Sequence, residues 1–395
     1  MNQLYFDIIP LNNLRHSNDT EPYLYFFKNI LTTDYQLDET LDTNLFQTSQ
    51  IYCYNKKSIL QLLSKIGTNI DLTNLFDLNF IQEVPIKFEI NSVNIYDFWY
   101  NGEYKDEPNV NRFIPNIKHL EFLEQKYINF EQILLTFDRD ILESNYVQFY
   151  DKRFVQVFSN LEQSVSNFNR KQIHSNYNLY NNYSRPTNVS NKINFTALSK
   201  KDTILKKYIP NNTVFVEFDY TSYQIHLLYD LLNVYHSDDV YQDLCKLYQT
   251  SDRDVAKKQS LYYMFGEVYI NPYPKNDFFI KLFQLKQMIK NMDEFISPIS
   301  SKVIKLKQDS GDISKILQIL ETEKNVTILE NIEIYLRQKS TTLTLYKYDA
   351  YMFDFDENDG IDTLHDLQAI IEENGAVSVK FGYNYFEICN NKDLE

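Results

Sequence analysis

Two acidic residues far apart in the chain, each where an alternating run ends, are the first places where chemistry could reside. In Val214-Phe-Val-Glu-Phe-Asp219-Tyr220 a period of two puts Val214, Val216 and Phe218 on one face and Asp219 on the other, at the end of a strand. In Leu343-Thr-Leu-Tyr-Lys-Tyr348-Asp349-Ala350 and the residues after it, two alternating runs meet at Asp349, as at the tip of a hairpin. Either carboxylate alone reads as a helix cap or turn residue. Together, on neighbouring strands, they are what a two-metal phosphoryl-transfer site requires, since acidic oxygens must bridge both ions. A third segment supplies the opposite charge. Arg253, Lys257, Leu261 and Phe265 recur every four residues and Gly266 follows, so one helical stripe is cationic first and apolar after. Such a stripe can hold a triphosphate at one end and a base at the other; its plainer reading is an amphipathic helix with snorkelling basic ends.

These side chains need a scaffold, and the hydrophobic pattern predicts one. Thr213 to Asp219 reads as a strand, Gln224 to Asn233 and Asp252 to Tyr269 as helices, and Thr341 to Asp356 as a hairpin. Upstream, residues 1–105 alternate short strand-like runs with Asn- and Asp-rich turns, with a helical pattern over Ser58 to Lys65, predicting a small α/β module. From Ile117 to about Phe168 apolar residues recur at helical spacing (Leu120, Leu123, Tyr127, Ile133, Leu134, then Phe154, Val157, Phe158, Leu161), predicting a helix-rich arm. Ser175 to Ser190 reads as an ordered loop.

Composition narrows the class. The 395 residues are 43% hydrophobic and 24% charged, which suits a globular protein of two or three domains. With 32 Tyr and 28 Phe against 7 Gly, a Gly-rich nucleotide fold is disfavoured and aromatic faces are left over for partners. Cys53, Cys245 and Cys389 stand too far apart for a zinc site or a disulfide framework. No apolar run reaches the roughly 20 residues of a membrane span, and Met1 to Arg15 does not read as a signal peptide, so a cytoplasmic protein with no membrane partner is expected. The net charge of −15 argues against nucleic acid only on average. Lys192, Lys200, Lys201, Lys206 and Lys207 form a basic stretch broken by Asp202, and local clustering is what phosphate binding needs.

In order along the chain, these residues resemble the A-family DNA polymerases, which include the bacterial repair polymerase and many phage replicative enzymes. Asp219-Tyr220-Thr-Ser-Tyr-Gln224-Ile-His226 is similar to the family's first catalytic motif, Asp-Tyr-Ser-x-x-Glu-Leu-Arg. Arg253, Lys257, Leu261, Phe265 and Gly266 are similar to its finger-helix motif, and Tyr348-Asp349-Ala350 to its His-Asp-Glu hairpin. Ser184-Arg185-Pro-Thr-Asn188, followed by Ile193-Asn194-Phe-Thr-Ala-Leu198, is similar to the primer-template motif, and Val377 to Tyr385 looks like the terminal strand. The resemblance covers about residues 180–395. It implies an α+β right-hand polymerase, with a palm of antiparallel strands and helical fingers and thumb, acting on primer-template DNA with dNTPs and two Mg²⁺ ions. The implied organisation is an N-terminal module at 1–105, a thumb-like region at 106–175, palm at 176–250, fingers at 251–300, and the remaining fingers and palm at 301–395.

By the same resemblance, Asp219, Asp349 and the Tyr220 carbonyl hold metal, and Arg253 and Lys257 the triphosphate. Leu261 and Phe265 line the nascent base pair, Gln224 stands at the sugar-selecting position, and Arg185, Asn188, Asn194, Gly266 and Tyr348 lie against the nucleic acid. Three positions depart from the family: Gln224 replaces Glu, His226 replaces Arg, and Ala350 replaces the Glu after the last catalytic Asp. Many family members carry a 3′–5′ exonuclease on an RNase H-like sheet at their N-terminal side. Here Asp7 lacks the expected second acid and Ser58 stands where an Asp would, so a degenerate or unrelated module without proofreading is expected. A single-subunit RNA polymerase and a silent nucleic-acid-binding relic are the competing readings, the first disfavoured by the bulk of Gln224. A processivity factor or helicase is a conceivable companion, and abundant Asn, Ile, Lys and Tyr suit a phage genome rich in A and T.

Overall fold

The computed structural model describes residues 2–10, 23–29, 32, 35–38, 40–54, 56–64, 70–81, 139–179, 185–188, 194–195, 197–237, 239–266, 274–309 and 311–390. The chain divides into two units, Met1–Gln163 and Ser164–Glu395. It is a mixed α/β protein in which each unit is built on its own sheet. The helical spacing at Leu120 to Leu134, together with Ser184, Lys192 and Ile193, lies outside the described residues.

The N-terminal unit carries five strands: β1 (Asn2–Pro10), β2 (Tyr23–Asn29), β3 (Tyr35–Asp38), β4 (Ser49–Cys53) and β5 (Leu75–Asp77). Their order is β3-β2-β1-β4-β5, with β3, β2 and β1 antiparallel and β1, β4 and β5 parallel. Leu4, Tyr5, Phe6, Asp7 and Ile8 are all buried, so β1 is covered on both faces, as its nearly unbroken apolar run requires. Helix α1 (Lys56–Ser64) packs on α2 (Val155–Leu161), which continues a π-helical turn over Gln148–Phe154. Phe154, Val157, Phe158 and Leu161 are buried within the N-terminal unit, and the boundary falls at residue 163.

Burying α1 submerges two lysines, and each is neutralised. Lys56 Nζ meets Asp151 Oδ2 at 2.8 Å and the Leu75 carbonyl at 2.6 Å, while Lys57 Nζ meets Glu162 Oε1 at 2.6 Å. Asp151 Oδ1 also accepts from the Asp77 amide at 2.6 Å, and Asp77 Oδ2 from the Lys56 amide at 2.7 Å.

The second unit is organised by an antiparallel sheet of order β14-β15-β11-β16: β11 (Val214–Tyr220), β14 (Thr342–Lys347), β15 (Ala350–Phe355) and β16 (Val377–Gly382). Before it come β6 (Val165–Phe168), β7 (Lys171–His174), the two-residue strands β8 (Tyr177–Asn178) and β9 (Thr187–Asn188), and β10 (Tyr208–Ile209). The hairpin β12 (Glu294–Ile296) and β13 (Val303–Lys305) stands apart in the sequence. Helix α3 (Tyr223–Leu231) packs on the 26-residue α7 (Gly311–Leu336), which also touches α8 (Asp362–Glu372). Helix α4 (Val240–Tyr248) packs on α5 (Arg253–Phe265), and α6 (Asp277–Ile289) follows. One end of the sheet closes over a core of Phe168, Phe195, Tyr208, Phe215, Leu345, Met352 and Tyr385, the last on α9 (Tyr385–Asn390). Asp219 stands at the opposite end of β11 from Phe215, outside this core.

Candidate active site

The two carboxylates found in sequence are brought to the same edge of the sheet. In the antiparallel register Asp219 pairs with Ala350, and the Tyr220 amide donates to the Asp349 carbonyl at 2.8 Å. Each sits beside a sharp left-handed turn made by a non-glycine residue. Ser222 (φ +64°) breaks β11 from α3, and Tyr348 (φ +62°) forms with Asp349 the two-residue loop between Lys347 and Ala350. Such backbone strain persists only where neighbours hold it. Asn325 of α7 does so, donating from Nδ2 to the Tyr348 carbonyl at 2.6 Å and accepting from the Tyr223 hydroxyl at 2.8 Å.

The two carboxylates are close enough for one charge to act on the other. Burial pushes the Asp349 carboxyl above the usual carboxylate range and the charge of Asp219 adds to it, while Arg185 and Lys347 act in the opposite sense. The tip nonetheless keeps solvent access at Asp349, as a site that must admit substrate requires.

The surrounding charges were not visible in the sequence reading. Glu217 lies two residues before Asp219 and so shares its face. It is buried and meets Lys347 Nζ at 2.5 Å; burial would lower that lysine, but the Glu217 charge outweighs it and holds the ammonium well above the usual range. Lys380 of β16, directly across from Glu217, turns its Nζ to Asp219 Oδ2 at 2.9 Å and lies 3.9 Å from Glu217. Glu321 of α7 is fully buried, and both its oxygens are taken: Arg185 Nη2 at 2.9 Å and Gln224 Nε2 at 3.1 Å. Burial pushes its carboxyl up, Arg185 opposes this and Asp349 adds to it. The Arg185 guanidinium stacks 3.7 Å above the Tyr348 ring.

Arg185 reaches this place because its strand is tied to the hairpin. Tyr177, paired with Asn188 across β8 and β9, donates its hydroxyl to the Tyr346 carbonyl at 3.2 Å and accepts from the Tyr346 amide at 2.8 Å. Asn188 itself is 0% exposed. Asn194 is half-buried, and its carbonyl accepts from the Ala197 amide. The basic stretch ends in a 3₁₀ turn over Thr203–Lys207 capped by Asp202, with Lys200, Lys201, Lys206 and Lys207 exposed.

The stripe on α5 forms as expected, although the helix ends at Phe265. Arg253 is 56% exposed and pairs with Asp239 at 3.2 Å, Lys257 is exposed, and Leu261, Phe265 and Gly266 are half-buried. Both cations lie over the Tyr241 ring, at 5.5 Å and 6.0 Å. Burial raises the Tyr241 hydroxyl, while Arg253 and a hydrogen bond with Ser222 lower it, so this ring links the cationic end of the stripe to the turn three residues after Asp219. Lys286 of α6 donates to the Tyr263 and Gly266 carbonyls at 2.5 Å and 2.8 Å and fixes the end of α5.

Among the described residues no three His, Cys, Asp or Glu side chains gather as a ready-made metal cluster. Two solvent-accessible carboxylates at one sheet edge still fit Mg²⁺, which is held by one or two carboxylates and completes its shell with water and substrate phosphates. Zinc, which favours nitrogen and sulfur ligands, does not fit.

No family model matches the chain, and no curated protein matches it. Among solved structures it is similar to the polymerase domain of Pol1 from M. smegmatis in complex with a DNA primer-template and dNTP. The TM-score is 0.47 at 11% identity, covering 72% of this chain and 58% of that one. The chain thus spans under three fifths of that domain's length.

Proposed function

We propose that this chain is a template-directed DNA polymerase that extends a primer 3′-hydroxyl with dNTPs. The observation that carries the reading is the meeting of Asp219 and Asp349, 130 positions apart, at one edge of an antiparallel sheet, where Asp219 pairs with Ala350 and the Tyr220 amide bonds the Asp349 carbonyl. Two divalent ions such as Mg²⁺, when bound, supply activation of the 3′-hydroxyl and neutralisation of the phosphoryl charge. Asp219 and Asp349 would hold them, with the Tyr220 carbonyl beside. Arg253 and Lys257, exposed at the start of α5, take up triphosphate and pyrophosphate charge. Leu261 and Phe265 continue the same stripe as an apolar wall for the base pair. Arg185, held flat on Tyr348, addresses the primer end, and Gln224 crowds the 2′ position of the incoming sugar.

The N-terminal unit is read as a degenerate exonuclease-like scaffold. Its order, three antiparallel strands followed by two parallel ones, supports an RNase H-like sheet. The Lys56 ammonium pairs with Asp151 and its backbone amide donates to Asp77, so Asp151 already has a fixed cation where a nuclease would use a carboxylate for metal. Asp7 is buried and accepts from the Tyr5 hydroxyl at 3.1 Å.

A labelled primer-template incubated with Mg²⁺ and either dNTPs, rNTPs or no nucleotide tests the whole reading. Elongation with dNTPs, little with rNTPs, and an unshortened primer without nucleotide are expected. A primer that is never elongated would overturn the polymerase reading.

A further inference from the structure

The carboxylate of Glu321 joins two side chains that the polymerase reading assigns to different tasks. Arg185 takes Oε1 and Gln224 takes Oε2, across 136 and 97 residues of sequence, and the acid is 0% exposed. An ionised carboxylate only accepts hydrogen bonds, so it forces Gln224 to turn its NH₂ toward α7 and its carbonyl oxygen away. The amide is thereby fixed in rotamer and in flip, where an unanchored glutamine would keep several. Asn325 lies one turn further along the same helix face and holds Tyr348, on whose ring Arg185 stacks. One face of α7 therefore sets the hairpin tip, the Arg185 guanidinium and the Gln224 amide together.

We propose that Glu321 is a specificity-determining positioning residue: by clamping Gln224 against α7 and tying it to Arg185, it fixes the barrier that discriminates the 2′-hydroxyl of the incoming nucleotide. This rests on the polymerase reading and assigns a role that neither Gln224 nor Arg185 carries alone. Gln lacks the charge that would anchor it directly. A buried carboxylate behind it supplies the anchor, and Arg185 holds the other oxygen of that carboxylate at 2.9 Å.

The test is the ratio of kcat/KM for dNTP and rNTP opposite one template base. Glu321→Leu, similar in volume but unable to accept, should lower discrimination by about 5- to 50-fold, and Glu321→Gln, which can still accept from Gln224, should restore it to within about 3-fold of the parent. In the Gln224→Ala background, Glu321→Leu should add nothing, because there is no longer an amide to hold. If the leucine variant fails to fold by circular dichroism, Arg185→Met, which removes the partner of Oε1, should lower discrimination by about 3- to 10-fold. Unchanged discrimination in folded Glu321→Leu or in Arg185→Met, or a further loss on top of Gln224→Ala, would overturn the proposal while the parent enzyme still extends primers. A parent chain that extends no primer would overturn the polymerase reading and this proposal with it.

Discussion

Replacing Lys380 by methionine should tighten divalent-cation binding. The ammonium lies 2.9 Å from Asp219 Oδ2, with side chains 12% and 29% exposed. At an effective dielectric of about 20, two unit charges at that distance attract by about 6 kcal/mol. Lost hydration and residual solvent screening remove most of this, leaving about 1–2 kcal/mol for a part-buried, charge-assisted hydrogen bond. An ion entering the site must displace the ammonium or bind beside it, and either way it meets that opposition. Removing the charge should therefore raise affinity about 5- to 30-fold. The fold should survive, because Glu217 keeps Lys347 at 2.5 Å and methionine retains most of the lysine stem. Mn²⁺ titration by electron paramagnetic resonance, without DNA or nucleotide, measures the effect directly. Equal or weaker Mn²⁺ binding by folded Lys380→Met would refute the charge competition.

Three further outcomes follow from buried charge. Asp349→Asn should raise the melting temperature at pH 7: a carboxyl whose folded pKa is raised stabilises at low pH and loses that contribution as pH rises through the carboxylate range, so the gain should vanish in acid. Lys56→Met should cost about 3–5 kcal/mol in urea unfolding of the full chain by stranding Asp151, and adding Asp151→Leu should recover much of it; a neutral single variant would contradict the buried pair. Burial lowers Lys286 to about 8, so between about pH 8 and 10 the unfolded state binds more protons and stability should rise with pH. Parallel melting curves for Lys286→Met should lack that component, and identical slopes would refute it.

What could be read from sequence was the part governed by local periodicity. β11, the β14–β15 hairpin and α5 announce themselves because alternation and four-residue spacing are properties of consecutive residues, and Asp219 and Asp349 fall at visible ends. Glu217 was within reach by the same rule, being two positions from Asp219 on the same face. Glu321, Asn325 and Lys380 were not. α7 buries apolar residues around much of its circumference, so Glu321 and Asn325 stand out only once the hairpin and α3 are folded against it. The burial of Asn188 was not legible either, because a motif gives identity and order but not burial. The division of the chain after Gln163 was not legible for a related reason: apolar spacing in Phe154 to Leu161 shows that a face is buried, not that its partner is α1, almost 100 residues earlier.

The central claim is that Asp219 and Asp349 act as one catalytic pair, and single-nucleotide incorporation by the parent chain and by Asp349→Asn, with primer-template affinity measured on the same samples, tests it most directly. The account predicts Mg²⁺-dependent incorporation by the parent and a loss of several orders of magnitude in the variant, with DNA affinity largely kept. Near-normal incorporation by Asp349→Asn would contradict it.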